Sequence, residues 1–293
     1  MTEKLSTSQL QELRYLATYQ LITAEQMAML RDVTVRGARK GLAKLEQMGL
    51  IEARYYTLGL ARGRPTKVYS LSAKGIRSLR RGDSRLEHAT LAPWDDEAGI
   101  GHQLLLNWFL LHVLHIPRVH KQLQVRVLAG RRATHTASSD EDTGSAEIVP
   151  DAVFAIRCEE QDKTLLFFTE IDMGTESLTS PSRSSRNFRE KILRYQDRFR
   201  TEAYRQYEES LACGLRGFRM LVVTNSPRRL TGLCQLVQQT PPSDFIWLTD
   251  QASMFAKGLS ATIWARGGRQ QIPPQSILGP TYGEVAPLLP AKE

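Results

Sequence analysis

The run PDAVFAIRC (150–158), the polar link EEQD (159–162) and the run KTLLFFTEID (163–172) read together as a tight β-hairpin. A four-residue turn pairs Cys158 with Lys163, and counting outward along both strands sets Asp151 opposite Glu170. Directly opposed residues of an antiparallel pair have Cα atoms roughly 4.5–5.5 Å apart, where two like charges repel, so a positive group belongs between them. Residues i and i+2 of a strand share a face, so Asp172 projects beside Glu170 while Ile171 turns inward. Three carboxylates, Asp151, Glu170 and Asp172, are thereby expected at the ends of two strands. An oxygen-only set of this kind suits Mg²⁺ or Mn²⁺. The other reading is a group of solvated acids paired with the arginines of the next helix. The apolar run LLFF (165–168) ahead of Glu170 buries the strand and favours the metal.

Downstream, a helix from about 184 to 211 buries Phe188, Ile192, Tyr195 and Phe199 and carries a basic flank that includes Arg183, Arg186, Lys191, Arg194 and Arg198. RMLVVTN (219–225) and FIWLTD (245–250) read as strands around the helix SPRRLTGLCQLVQQ (226–239), and ATIWARG (261–267) as a last strand. The class is α/β, mixed. The Pro-rich IPPQSILGPTYGEVAPLLPAKE (272–293) reads as an irregular tail. There is no Gly-rich phosphate loop, so nucleotide hydrolysis is not indicated.

Upstream the chain changes character. Of 293 residues with a formal net charge of +8, residues 1–90 hold 16 Lys/Arg against 8 Asp/Glu, whereas residues 91–293 hold 23 of each. The surplus therefore belongs to a small basic module suited to a polyanion. In it, TSQLQELRYLATYQLITAEQMAML (7–30) reads as two helices, with Leu10, Leu13, Leu16 and Ala17 at helical spacing and Thr23 capping the second. TVRGARKGLAKLEQMGL (34–50) is a third helix, capped by Thr34 and ended by Gly49. Val35, Ala38, Leu42 and Leu45 face the core; Arg36, Lys40 and Lys44 line the other side at i, i+4 and i+8. LIEARYY (50–56) and VYSLSAKG (68–75), joined through ARGRPTK (61–67), form a basic wing. This order is a winged helix-turn-helix. Its third helix would enter the major groove of double-stranded DNA with Arg36, Arg39, Lys40 and Lys44 near bases and phosphates, Arg62, Arg64 and Lys67 reaching the adjacent backbone. Gly37 and Gly41 are expected to let that helix approach closely. The alternative is a winged helix used for protein contacts, its basic face merely solvated.

Between the modules, RRGDSRLEHATLAPWDDEAG (80–99) is a charged linker and RRATHTASSDEDTGSAE (131–147) a mobile loop. The helix from about 100 to 115 is apolar nearly all round and is expected to be buried between modules or in a dimer seam. Its His112 and His115 lack a third ligand and read as neutral, hydrogen-bonded residues. LLLNWFLLHVLHI (104–116) is too short and polar to span a bilayer, the N-terminus has no signal core, and three scattered cysteines fit a reducing compartment, so a cytoplasmic protein is expected. The domains are drawn as 1–85, winged helix; 86–117, linker and apolar helix; 118–270, α/β domain; and 271–293, tail.

The order of parts, with FFTEIDMGTES (167–177) and KILRYQDRF (191–199), resembles the bacterial replication-relaxation family of plasmid and mobile-element proteins from about residue 7 to 250. Its most specific part is the string E-x-D…G-T-E…K-x-x-x-Y. The second domain also resembles the PD-(D/E)xK restriction-endonuclease-like fold, whose hairpin carries the acids, although Asp172 stands where that motif has Lys. The resemblance implies a role in replication, mobilisation or maintenance of a mobile element, with replication or mobilisation proteins as partners. It also implies a second function, Mg²⁺- or Mn²⁺-dependent nicking of DNA. In that chemistry Asp151, Glu170 and Asp172 would hold the metal, and Lys191, one helical turn before Tyr195, would replace the missing lysine. The other reading of Lys191 is a phosphate-holding or solvated basic face.

Overall fold

A computed structural model describes residues 5–57, 65–82, 97–130, 149–179 and 187–288. Arg62, Arg64, Arg183, Arg186, most of the charged linker and the 131–147 loop lie outside the described residues. The chain divides into two units, Met1–Leu111 with Pro290–Glu293, and His112–Leu289.

The first unit is a winged helix. α1 (Thr7–Tyr19) and α2 (Ala24–Arg31) each begin with a capping box, Ser6 with Gln9 and Thr23 with Gln26. Thr34 caps α3 (Val35–Gln47), accepting from the Gly37 amide, and α3 buries Ala38, Leu42 and Leu45 as its spacing requires. Gly49, at φ +66°, ends the turn. β1 (Ile22–Thr23), β2 (Ile51–Tyr56) and β3 (Thr66–Leu71) form an antiparallel sheet in the order β1-β3-β2. The β2–β3 hairpin is the wing, and α4 (Ala73–Gly82) follows it.

The long helix α5 (Glu97–Val119) runs across the division between the two units. Its first half belongs to the first unit: Ile100 and Leu104 pack with Leu21 and Val68, the Leu104 carbonyl accepts from Gln26 at 3.0 Å, and Asn107 donates to the Tyr19 carbonyl at 3.1 Å. These contacts place the division at 111/112, inside the segment 86–117 drawn from the sequence. Among the described residues no helix is long and apolar enough to cross a membrane.

The second unit is a six-stranded mixed sheet. β4 (Leu123–Gly130), β5 (Ala152–Cys158) and β6 (Lys163–Asp172) are antiparallel neighbours; β7 (Phe218–Thr224) and β8 (Ile246–Asp250) continue parallel to β6, and β9 (Ala265–Arg266) closes the edge antiparallel. The hairpin register is as read, from Cys158 opposite Lys163 to Ala152 opposite Thr169. One face of the sheet is covered by α6 (Phe188–Arg200) and α8 (Pro227–Gln238) through Phe168, Ile192, Tyr195, Val222, Leu233 and Val237.

Two expectations change. The single helix from 184 to 211 is broken: after α6 the chain enters the left-handed region at Glu202 (φ 55°), makes a 3-10 turn (Ala203–Tyr207) and ends in the short α7 (Glu208–Leu211). Phe199, expected in the core, is 37% exposed at that break. The C-terminal segment, drawn as a tail, is irregular but packed. After α9 (Gln251–Lys257), Ile277, Leu278, Val285 and Leu288 are buried, and the Leu288 amide donates to His112 Nε2 at 3.2 Å. Apolar residues separated by prolines cannot make a helix or strand, yet they still bury.

Candidate functional site

At the C-terminal end of β6 the motif string resolves into one network. Glu170 is buried to 3% exposure, and both its oxygens are taken by α6: Lys191 Nζ donates to Oε2 at 2.9 Å and the Tyr195 hydroxyl to Oε1 at 2.6 Å. K-x-x-x-Y is thus two donors one helical turn apart, converging on one carboxylate. Glu176 lies 3.4 Å from the same ammonium. Asp172, also buried, receives Arg229 of α8 in a fork, Nε to Oδ2 at 2.6 Å and Nη2 to Oδ1 at 3.2 Å. The Arg229 fork also donates to the Glu176 carbonyl at 2.7 Å, and the Gly174 amide to Asp172 at 3.1 Å. Gly174 sits at φ +75°, a conformation glycine adopts freely.

Asp151 immediately precedes β5, beyond the last paired position, Ala152 opposite Thr169; its amide donates to the Thr169 carbonyl at 3.0 Å and its Oδ2 accepts from the Ile171 amide at 2.8 Å. Burial pushes the Glu170 carboxyl pKa upward; Asp151 adds to this, while Lys191 and Tyr195 oppose it. Burial lowers the Lys191 pKa, but Glu170 and Glu176 outweigh it and the net shift is upward. Lys191 keeps its charge beside the buried acid because a second carboxylate, Glu176, also faces it.

The structure therefore brings Asp151, Glu170, Asp172 and Lys191 to one strand end, with the acids not grouped as metal ligands. Among the described residues no three His, Cys, Asp or Glu side chains are grouped to hold a metal. The reason is local: both Glu170 oxygens and both Asp172 oxygens are hydrogen-bonded to protein cations or hydroxyl, and Asp151 caps the Ile171 amide. As arranged, these residues do not fit Mg²⁺ or Mn²⁺. The positive group demanded by the opposed acids is Lys191.

Sequence reasoning missed Arg229, and it named Glu176 and Tyr195 in the motif string without their polar roles, the buried Tyr195 being both core and donor. The signal for Arg229 was its place in the first turn of the helix after β7, beside the end of β6.

In the first unit, Arg36, Lys40 and Lys44 are exposed along α3, and no described carboxylate pairs with them. Arg39 is also exposed but bonds Glu25 at 2.9 Å, and Lys67 bonds Glu46 at 2.7 Å, so these two are partly neutralised within the domain. Gly41 has another reason than close approach to a partner. A Cβ there would lie 2.3 Å from Glu12 Oε1, a fully buried carboxylate of α1 that pairs with Arg31. Burial raises the Glu12 pKa and Arg31 opposes it.

The fold and these two sites define a class, a winged-helix module followed by a mixed α/β domain whose acidic hairpin is closed by ion pairs. Within that class the chain belongs to the replication-relaxation family, whose model matches residues 13–210. No curated protein matches it. Among solved structures it is similar to a zinc-responsive MarR family member, Lactococcus lactis ZitR, at 22% identity over 30% of this chain and 58% of that one, with a TM-score of 0.24. A mutant of the same protein gives 22% identity, 30% and 57% coverage and a TM-score of 0.25. The chain spans less than two thirds of those structures, and the winged-helix assignment rests on its own topology.

Proposed function

We propose that this replication-relaxation protein binds double-stranded DNA through α3 and the wing, in replication, mobilisation or maintenance of a plasmid or other mobile element. The observation that supports it is the row Arg36, Lys40 and Lys44, exposed on the outer face of a winged helix's third helix with no described carboxylate partner. The α/β unit serves binding or assembly, its acidic hairpin held shut by Lys191, Tyr195 and Arg229. The test is a duplex-binding titration of the full chain against its Arg36→Ala/Lys40→Ala variant. Loss of sequence preference is expected; unchanged affinity and preference would overturn the reading. A dimer on a two-fold site belongs to the same proposal, since one winged helix covers little DNA, and a monomer at high concentration in sedimentation would remove it.

A second reading is metal-dependent nicking of DNA. It is favoured by one observation, the arrival of Lys191 at Glu170 from the neighbouring helix. It requires the ion pairs at Glu170 and Asp172 to open. Supercoiled plasmid incubated with Mg²⁺ or Mn²⁺ would be nicked by the parent protein and left intact by Asp151→Ala and Lys191→Ala, whereas intact plasmid in every arm would end this reading.

A further inference from the structure

A second feature of the α/β unit lies at the opposite end of its sheet. Leu166 of β6 and Phe218 of β7 pair at the start of the parallel strands, and Asp172 lies six residues further along. At ~3.3 Å per residue the two ends are about 20 Å apart. Here a groove of about 400 Å³ opens, lined by Phe199, Phe245, Arg216, Arg219, Arg266 and Asp244 among others. That is in the range of ligand clefts, roughly 300–1,000 Å³.

Its chemistry is aromatic and cationic together. Phe199 and Phe245 stack with ring centroids 5.2 Å apart and planes at 25°, and Phe199 keeps 37% of its surface exposed. Gly217 makes room for that ring, because a Cβ at its position would meet Phe199 at 3.0 Å. Arg219 is sandwiched over Trp247 (4.4 Å) and Phe167 (6.0 Å), with the Ile277 carbonyl, 3.2 Å away, as its hydrogen-bond acceptor. Burial, and then Arg266, lowers its pKa. Arg216 is exposed and no described carboxylate pairs with it. The acid in the lining, Asp244, already pairs with Arg266 at 3.2 Å and with Arg269 at 2.5 Å. Excess positive charge beside an exposed ring face is complementary to a phosphodiester backbone with unpaired bases, and a duplex, whose bases are stacked on each other, could not use the rings.

We propose that this groove binds a short segment of single-stranded DNA, with Phe199 and Phe245 receiving a base and the exposed Arg216 facing its phosphates. This site is separate from duplex binding by α3 and does not depend on it.

The test uses the full chain with fluorescent oligothymidylate and, separately, a labelled duplex. Arg216→Ala is expected to weaken single-strand binding and to reduce its log–log salt slope by about 0.7. Phe199→Leu, which keeps an apolar side chain, is expected to lower single-strand affinity by about ten-fold. Both should leave duplex affinity unchanged, and Arg216→Lys should restore the slope. Lys40→Ala should do the reverse, weakening the duplex alone, so failure of one site is distinguishable from failure of the other. With the parent protein, an oligonucleotide carrying 5-iodouracil should photocrosslink to Phe199 or Phe245. Unchanged single-strand affinity in Arg216→Ala and Phe199→Leu, or crosslinks confined to residues 1–111, would overturn the proposal.

Discussion

The cations of α3 and those at the hairpin end are the same kinds of residue in opposite situations. Along α3, Arg36, Lys40 and Lys44 face solvent with no described carboxylate partner. At the end of β6, Lys191 and Arg229 are turned inward onto Glu170 and Asp172, each of whose side chains is 4% exposed. A cation facing water costs the fold little and keeps its full charge for a polyanion. A cation facing a buried carboxylate is part of the fold, and removing it leaves a charge stranded in low dielectric. Position in the structure, rather than basic composition, therefore decides which cations are available to a polyanion.

The contrast breaks most visibly at Arg229. Arg229→Met should lower unfolding free energy by about 3–5 kcal/mol in chemical denaturation, because Asp172 loses its forked partner. An Asp172→Asn/Arg229→Met double variant should recover part of that loss, since the stranded charge is then gone. A loss below about 1 kcal/mol in the single variant would show the pair to be solvated.

Glu170 gives the next effect, through pH. Its pKa is raised from 4.5 to about 7, by burial first and by Asp151. The folded state then binds the proton more tightly than the unfolded one. Its contribution to stability is full below pH 4.5 and declines as pH rises through about 7. The decline should be on the order of 1–3 kcal/mol. Thermal unfolding across that window should show the slope in the parent protein and a flattened one in Glu170→Gln.

Gly41 sharpens the comparison from the other side, since it lies on the same helix as the free cations but faces Glu12. Gly41→Ala should push the Glu12 carboxylate off Arg31 and so fail to deliver the ~1 kcal/mol that alanine gains over glycine in a helix interior. Arg36→Ala and Lys40→Ala should each stay within about 0.5 kcal/mol of the parent. Melting curves of the three variants separate the packed face of α3 from the free one.

Much of this was legible in the sequence where the interactions are local. The hairpin register followed from a four-residue turn, because turn length fixes strand pairing. The Thr34 cap and the buried Ala38, Leu42 and Leu45 followed from helical period. Strand alternation put Glu170 and Asp172 on one face, whereas Lys191 was named beside them only through the family resemblance. What the sequence hid were partners distant along the chain. Arg229 meets Asp172 from 57 residues away, and Glu12 explains Gly41 from another helix. The helix break at Glu202 turns on one residue's left-handed conformation, and the packing of 272–288 has no period to find. These same long-range contacts occupy the carboxylate oxygens that the strand pattern alone assigned to a metal.

The most direct measurement is the salt dependence of duplex affinity in the full chain, comparing Arg36→Ala/Lys40→Ala/Lys44→Ala with Lys191→Met. The α3 variant should lose about 0.9 of log–log slope for each phosphate contact removed, while Lys191→Met keeps the parent slope. A parent-like slope in the α3 variant, or a reduced slope in Lys191→Met with the fold intact, would contradict the division between free and occupied cations.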